Sequence, residues 1–191
     1  DEAVYRRTVD ELPQSAAGRT IMTTEPKFIP EESVEINLGG NTTLNVRMID
    51  CVGYIVNSAI GYSEEDEPRM VKTPWSSEAI PFDDAAEIGT KKVITDHSTI
   101  GLVITTDGTI SDIPREDYIE SEKRVINELK AINKPFIILL NSVDPTADET
   151  IRLSNKMTAE YKVPVIPVSC MELDETEIKR ILAQLLFEFP I

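Results

Sequence analysis

Basic residues are scarce in this chain: 19 Lys and Arg stand against 34 Asp and Glu, a formal net charge of -15 over 191 residues. Such a surface repels nucleic acid and anionic lipid, which excludes partners held through a phosphate backbone. A nucleotide would need a local site in which a metal and backbone donors offset its charge. No apolar run approaches the ~20 residues of a membrane-spanning helix, and the start, Asp1-Glu2-Ala3-Val4-Tyr5-Arg6-Arg7, has no apolar signal-peptide core. It also has no initiator Met, so the chain is read as beginning inside a longer protein. Cysteine is limited to Cys51 and Cys170, read as reduced, partly buried thiols of a cytoplasmic protein. The single histidine, His97, leaves no Cys/His cluster for zinc, and nothing near it in sequence pairs with it for catalysis. Repeats and low-complexity segments are absent. What is present, 41% hydrophobic and 28% charged residues, suits one domain with a substantial core.

From the start of the chain, residues 1–15 are charged and mildly helical in composition, and residues 16–26 form a hydroxyl-rich loop. Residues 34–38 alternate as a half-buried strand does. Gly39-Gly40-Asn41 follows, then a second strand over 44–51, so the pair is expected to be an antiparallel hairpin. Residues 61–77 are a long polar connection with the acid run Glu64-Glu65-Asp66-Glu67 and the one tryptophan, Trp75. The acid run is a solvated face, although a loop of this length is often functional. Residues 81–98 look helical, with Asp83, Asp84 and Glu87 early and Lys91 and Lys92 late, as the helix dipole favours.

Residues 100–105 are nearly continuous in apolar character, the mark of a strand buried on both faces. A helix over 114–133 carries the apolar stripe Tyr118, Ile119, Val125, Ile126, Leu129 and Ile132. A second buried strand over 135–140 leads into Asn141-Ser142-Val143-Asp144-Pro145. A weaker helix occupies 147–161, and Pro164 and Pro167 push the strand over 163–168 toward a sheet edge. The last helix, 174–187, starts with Asp174 and Glu177 at capping-box spacing. Strand and helix alternate, which predicts an α/β fold whose mostly parallel sheet is covered by helices on both faces. Right-handed crossovers would then bring Asp50, Asp107, Asn141 and Ser169 to one rim.

That rim can be read as chemistry. The strand over 44–51 ends in Asp50-Cys51-Val52-Gly53, where open α/β sheets hold their ligands. An Asp so placed can orient Mg²⁺, and a Gly three residues on lets a backbone N–H approach a phosphate, although Asp and Gly are also ordinary turn residues. Thr23 and Thr24 offer hydroxyls that would complete Mg²⁺ coordination and sense a γ-phosphate. Asn141-Ser142-Val143-Asp144 occupies the slot where GTPases carry Asn-Lys-x-Asp, with Ser142 in place of the Lys. Ser169-Cys170 falls where a loop contributes backbone contacts to the base. The order and spacing describe a GTPase-like P-loop NTPase: a three-layer sandwich, mostly parallel, with one antiparallel hairpin.

Longer stretches carry a closer resemblance. They are Asp10-Glu11-Leu12-Pro13-Gln14-Ser15-Ala16-Ala17-Gly18-Arg19-Thr20-Ile21-Met22-Thr23-Thr24-Glu25-Pro26-Lys27-Phe28, Ile49-Asp50-Cys51-Val52-Gly53-Tyr54, Ala86-Glu87-Ile88-Gly89-Thr90 and His97-Ser98-Thr99-Ile100-Gly101-Leu102-Val103-Ile104-Thr105-Thr106-Asp107-Gly108-Thr109. In these the chain resembles the stage IV sporulation protein A family, the spore-coat morphogenetic ATPases of endospore-forming bacteria. The resemblance implies hydrolysis of ATP with Mg²⁺ to drive self-assembly into a static polymer on the forespore surface. It matches Asp50 to the Walker B Asp, and Thr23 and Thr24 to the sensor-threonine loop. It further implies docking to the outer forespore membrane through a small amphipathic peptide, and recruitment of other coat proteins, largely through domains outside this chain.

Two departures accompany the resemblance. No Gly-x-x-x-x-Gly-Lys-[Ser/Thr] occurs in the chain, so the phosphate-cradling loop and the strand before it are expected upstream, or from another chain. Without them residues 1–191 are expected to be inactive alone. Asp144 is the second, since an Asp there can accept from guanine. A GTPase-type switch and a catalytically inactive P-loop scaffold therefore stand as alternatives.

Overall fold

The computed structural model describes residues 27–39, 41–56, 58–59, 63–64, 67–73 and 76–189. Thr23, Thr24, Trp75 and the helical expectation for residues 1–15 lie outside the described residues. The chain divides into two compact units, one running up to Ile55 and resuming at Ala59–Ser98, the other made of Val56–Ser58 and the residues from Thr99 onward.

The first unit contains the expected hairpin. Strands β1 (Lys27–Gly39) and β2 (Thr42–Asp50) pair antiparallel, with Ile36 opposite Leu44 and Lys27 opposite Asp50. At the turn, Gly39 N–H donates to Asn37 Oδ1 at 2.8 Å, closing a local Asx turn. β1 starts earlier than the 34–38 expected, because register irregularities between Ile29 and Val34 let it continue past a break in alternation. The connection over 61–77 is not all loop. Short strands β3 (Ser63–Glu64) and β4 (Glu67–Pro68) pair with each other, and β5 (Met70–Val71) pairs with β6 (Ile80–Pro81).

Helix α1 (Phe82–Lys92) follows, acidic in its first turn and basic in its last as the dipole argument requires. It is shorter than the helix expected over 81–98, because Val93–His97 forms a π turn. Phe82 is fully buried at its start, under the Arg69 guanidinium 5.1 Å from the ring centroid. His97 is exposed.

The second unit is a parallel sheet in the order β7 (Gly101–Thr106), β8 (Phe136–Asn141), β9 (Val165–Val168). Helices α2 (Arg115–Ala131), α3 (Asp148–Tyr161) and α4 (Glu175–Phe187) alternate with the strands, as the pattern predicted. On one face Ile137, Leu139 and Val168 pack against Ile181 and Leu185 of α4. Strand residues alternate faces, and on the opposite face a side chain at Gly101 would press on Phe136 of β8 and Leu129 of α2. Ser154 of α3 donates to the Val165 carbonyl at 2.8 Å. The unit is therefore a three-layer sandwich. Among the described residues β9 stands at an edge of the sheet, as its prolines favour. α3 is as regular as its neighbours, although its sequence periodicity is weaker. Asp174 caps α4, its Oδ1 accepting from Glu177 N–H at 2.8 Å.

One expectation fails here. β7 was expected to be buried on both faces, yet Ile104 is 59% exposed. β7 has a single strand neighbour among the described residues, and α4 packs over β8 and β9, leaving this end of β7 uncovered.

Candidate functional site

In the first unit, Asp50 is the last residue of β2 and exposed, and Cys51 to Ile55 continue from it half-buried. Atoms crowding the Asp50 carboxyl push its pKa upward by burial, opposed by a hydrogen bond from Cys51 N–H. Gly53 sits at φ +78°, with open space where a Cβ would stand. This left-handed conformation is the physical reason a glycine serves there. Its N–H lies toward the Cys51 thiol, whose pKa rises chiefly through burial, so Cys51 is not an activated nucleophile. Asp50 and Gly53 thus form a compact turn whose donors and acceptors are partly used within it.

The second unit brings Asp107, Asn141, Asp144 and Ser169 to one end of its sheet. Asn141 is opposite Thr106 in the β7–β8 register and opposite Val168 in the β8–β9 register. Its Oδ1 accepts from Cys170 N–H at 2.9 Å, and its carbonyl accepts from Asp107 N–H at 3.2 Å. One residue thereby braces the loops after all three strands. Ser169 begins the loop after β9, its carbonyl accepting from Glu172 N–H at 3.0 Å.

Ser142, in the position expected to hold a lysine, is 1% exposed. Its hydroxyl accepts from Asp144 N–H at 3.1 Å and lies 3.4 Å from Thr150 Oγ1. Thr150 donates to Asp107 Oδ2 at 2.9 Å, and Asp107 Oδ1 accepts from Thr109 N–H at 3.0 Å and Thr109 Oγ1 at 2.6 Å. Burial pushes the Asp107 pKa up, but hydrogen bonds from Ser142, Thr109 and Thr150 together hold it below the usual carboxylate range. Thr109 Oγ1 also accepts from Val143 N–H at 3.0 Å. Asp107 is thus the hub of a network that ties the loop after β7 to the loop after β8. Sequence reasoning placed Asp107 on the rim without a role and missed Thr109 and Thr150. The Asp-x-Thr spacing at 107–109 was the available signal, since it favours such a turn.

Asp144 is exposed on this rim. Its Oδ1 accepts from Thr146 Oγ1 at 2.7 Å and from Thr146 N–H at 3.0 Å, and these bonds hold its carboxyl below the ordinary range. It is ionised at neutral pH and available as an acceptor. Among the described residues no three His, Cys, Asp or Glu side chains gather to hold a metal. Mg²⁺ in nucleotide sites needs no such cage, since one or two protein oxygens plus phosphates and waters complete it. An exposed carboxylate at a strand end such as Asp50 fits that donor set. The two halves of the expected rim are each described within their own unit.

Comparison with known proteins shows the family. Residues 1–190 match the family described as stage IV sporulation protein A, ATPase domain. The chain belongs to that family. It is 56% identical over all 191 residues to stage IV sporulation protein A of Bacillus anthracis and 52% identical to that of Bacillus subtilis (strain 168), covering 39% of each. Over 185 residues it is 51% identical to the protein of that name in Clostridioides difficile (strain 630), covering 97% of this chain and 38% of that protein. The chain thus spans about two-fifths of the length of the relatives it matches. It is a sporulation-protein chain with an α/β, P-loop NTPase-like fold, and no helix among its described residues is long and apolar enough to cross a membrane.

Proposed function

We propose that this chain is the nucleotide-hydrolysing part of a spore-coat protein that uses ATP and Mg²⁺ to assemble into a static polymer, the basement layer of the coat. The observation that carries the reading is the Asn141 brace beside an ionised, outward Asp144 at the carboxyl end of a parallel sheet. Membership of a family described by its ATPase domain supports it.

In this reading Asp50 and a hydroxyl of Thr24 hold Mg²⁺, with Thr23 beside it as the other sensor hydroxyl. Bound Mg²⁺ would neutralise phosphate charge. Gly53 N–H meets the γ-phosphate, exchanging a thiol for a far stronger anionic acceptor. Asn141 and Ser169 shape the base pocket, and Asp144 accepts from the base. The phosphate-cradling loop is supplied by residues outside 1–191, so the isolated chain is inactive. The polymer is built from copies of the protein in the mother-cell cytoplasm, peripheral to the outer forespore membrane. An amphipathic anchoring peptide and other coat proteins bind through the rest of the protein, and nucleic acid is not a partner.

A GTPase-type switch is the second reading, favoured by the acceptor Asp144 and opposed by Ser142, whose buried hydroxyl supplies no lysine stem for a base. Calorimetric titration of the intact protein with ATP and GTP separates the two: the expected result is tighter ATP binding, and tighter GTP binding sinks the ATP assignment. Asp50→Ala in the intact protein is expected to lower turnover about a hundredfold or more and to abolish ATP-dependent assembly. Survival of both would remove Asp50 from the metal site and favour an inactive scaffold.

A further inference from the structure

We propose that Met171 and Val143 are the apolar walls that hold the nucleobase, an assignment that rests on the nucleotide reading above. Met171 is 91% exposed, the most exposed large apolar residue among those described, and Val143 is 65% exposed. Single exposed apolar side chains are ordinary. These two differ in their place: each stands in a loop that leaves the carboxyl end of the parallel sheet, on backbone that hydrogen bonds hold on both sides, with Asp144 next to Val143.

Met171 lies between Cys170, whose N–H donates to Asn141 Oδ1 at 2.9 Å, and Glu172, whose N–H donates to the Ser169 carbonyl at 3.0 Å. Val143 N–H donates to Thr109 Oγ1 at 3.0 Å, and the next N–H, that of Asp144, donates to Ser142 Oγ at 3.1 Å. β8 and β9 are adjacent and parallel, with Asn141 opposite Val168. The loops that follow them therefore leave the same end of the sheet about one strand spacing apart, roughly 4.8 Å. Asp144, directly after Val143, adds a carboxylate kept ionised by Thr146.

The arrangement offers two preordered apolar side chains and one anionic acceptor. A ligand suited to it has flat apolar faces and an N–H donor on its edge, which describes a purine base and not a sugar or a phosphate. Covering such a base falls to these residues because Ser142 is turned inward. Preordered loops also lose little freedom when the base arrives, which favours binding.

The test uses the intact protein and two probes, Mg·ATP and inorganic tripolyphosphate, which carries the phosphate charge without a base. Met171→Ala is expected to weaken ATP binding about tenfold, the effect of losing most of one buried apolar side chain. The double variant with Val143→Ala is expected to weaken it further, and Met171→Leu to restore most of the loss. Tripolyphosphate affinity should stay unchanged throughout. If the parent binds ATP and the double variant binds it equally well, the assignment is wrong and the nucleotide reading stands. Equal weakening of ATP and tripolyphosphate overturns it too, because the loss would then not be at the base. A parent that binds neither probe sinks both this inference and the reading beneath it.

Discussion

The two ends of strands that carry the candidate site are held in different ways. In the first unit, Asp50 and Gly53 sit in a turn closed by local hydrogen bonds, Cys51 N–H on the Asp50 carboxylate and Gly53 N–H on the Cys51 thiol, with the Thr90 side chain as a more distant partner of that thiol. In the second unit, the rim is tied by side chains far apart in sequence: Thr150 to Asp107, Cys170 to Asn141, Val143 to Thr109. A local turn can exchange its partners for a ligand's without disturbing a core. A cross-linked rim cannot, and it presents the same surface before and after binding. Under the proposed nucleotide reading, the difference suits a turn that responds to the phosphate and a rim that stays fixed beside the base.

The strongest way to break the fixed side lies beneath it. Glu122 of α2, 4% exposed, accepts from Tyr161 Oη at 2.6 Å and pairs with Arg115 Nη2 at 2.7 Å. Arg115 Nη1 donates in turn to Thr105 Oγ1 of β7 at 3.3 Å. Burial first, and then the Glu122 carboxylate, raise the Tyr161 pKa, so the phenol remains a donor throughout the physiological range. Glu122→Ala would leave the largely buried Arg115 guanidinium without its carboxylate and the buried Tyr161 phenol without its acceptor, and is expected to destabilise the second unit by about 3–5 kcal/mol. Hydrogen exchange of the β7–β9 amides should accelerate accordingly while that of the β1–β2 hairpin does not. Glu122→Gln keeps an acceptor for Tyr161 and should lose less.

What was legible in the sequence divides along the same line. The parallel strands, their helices and the hairpin were readable because periodicity and turn residues are local signals. Asn141 was readable as a rim residue because its slot after a buried strand fixes its position. The Asp107–Thr150–Ser142 network was not, because its members are tens of residues apart and each is an ordinary turn or helix residue on its own. The exposure of Ile104 was missed for a related reason: an apolar run reports what a strand is able to bury, whereas burial depends on which elements flank it. The pairing of β5 with β6 escaped notice because two-residue strands leave no period to detect.

A smaller effect separates the regions by pH. The Asp107 carboxyl is depressed in the folded protein, so its network stabilises the ionised form. The contribution is fully present above the unfolded-state value, about 3.9, and is lost as pH falls through the lower folded value. Asp107→Asn is expected to cost about 1.5–3 kcal/mol at pH 7, the range for hydrogen bonds to a charged acceptor. The parent's advantage over this variant should stay constant above about pH 5 and shrink below about pH 4, read from exchange of the β7 and β8 amides. A difference independent of pH down to 3 would show that the carboxylate charge is not what holds the rim together.

The smallest effect is expected where the structure is most local. Gly53 adopts φ +78° with nothing within 4 Å of where a Cβ would stand, so Gly53→Ala meets backbone strain and no clash. The cost should be about 1 kcal/mol, felt at the turn and not in the second unit. Gly108, at φ +95°, is the contrast: a Cβ there would stand 3.0 Å from Arg115 N, against the start of α2. If exchange in the intact protein shows Gly53→Ala loosening only the residues around Asp50, the turn is an independent element. It would then be free to trade its internal bonds for a phosphate. If the same substitution loosens β7–β9 as much as Glu122→Ala does, the contrast between a responsive turn and a fixed rim collapses, and the two strand ends must be treated as one cooperative site.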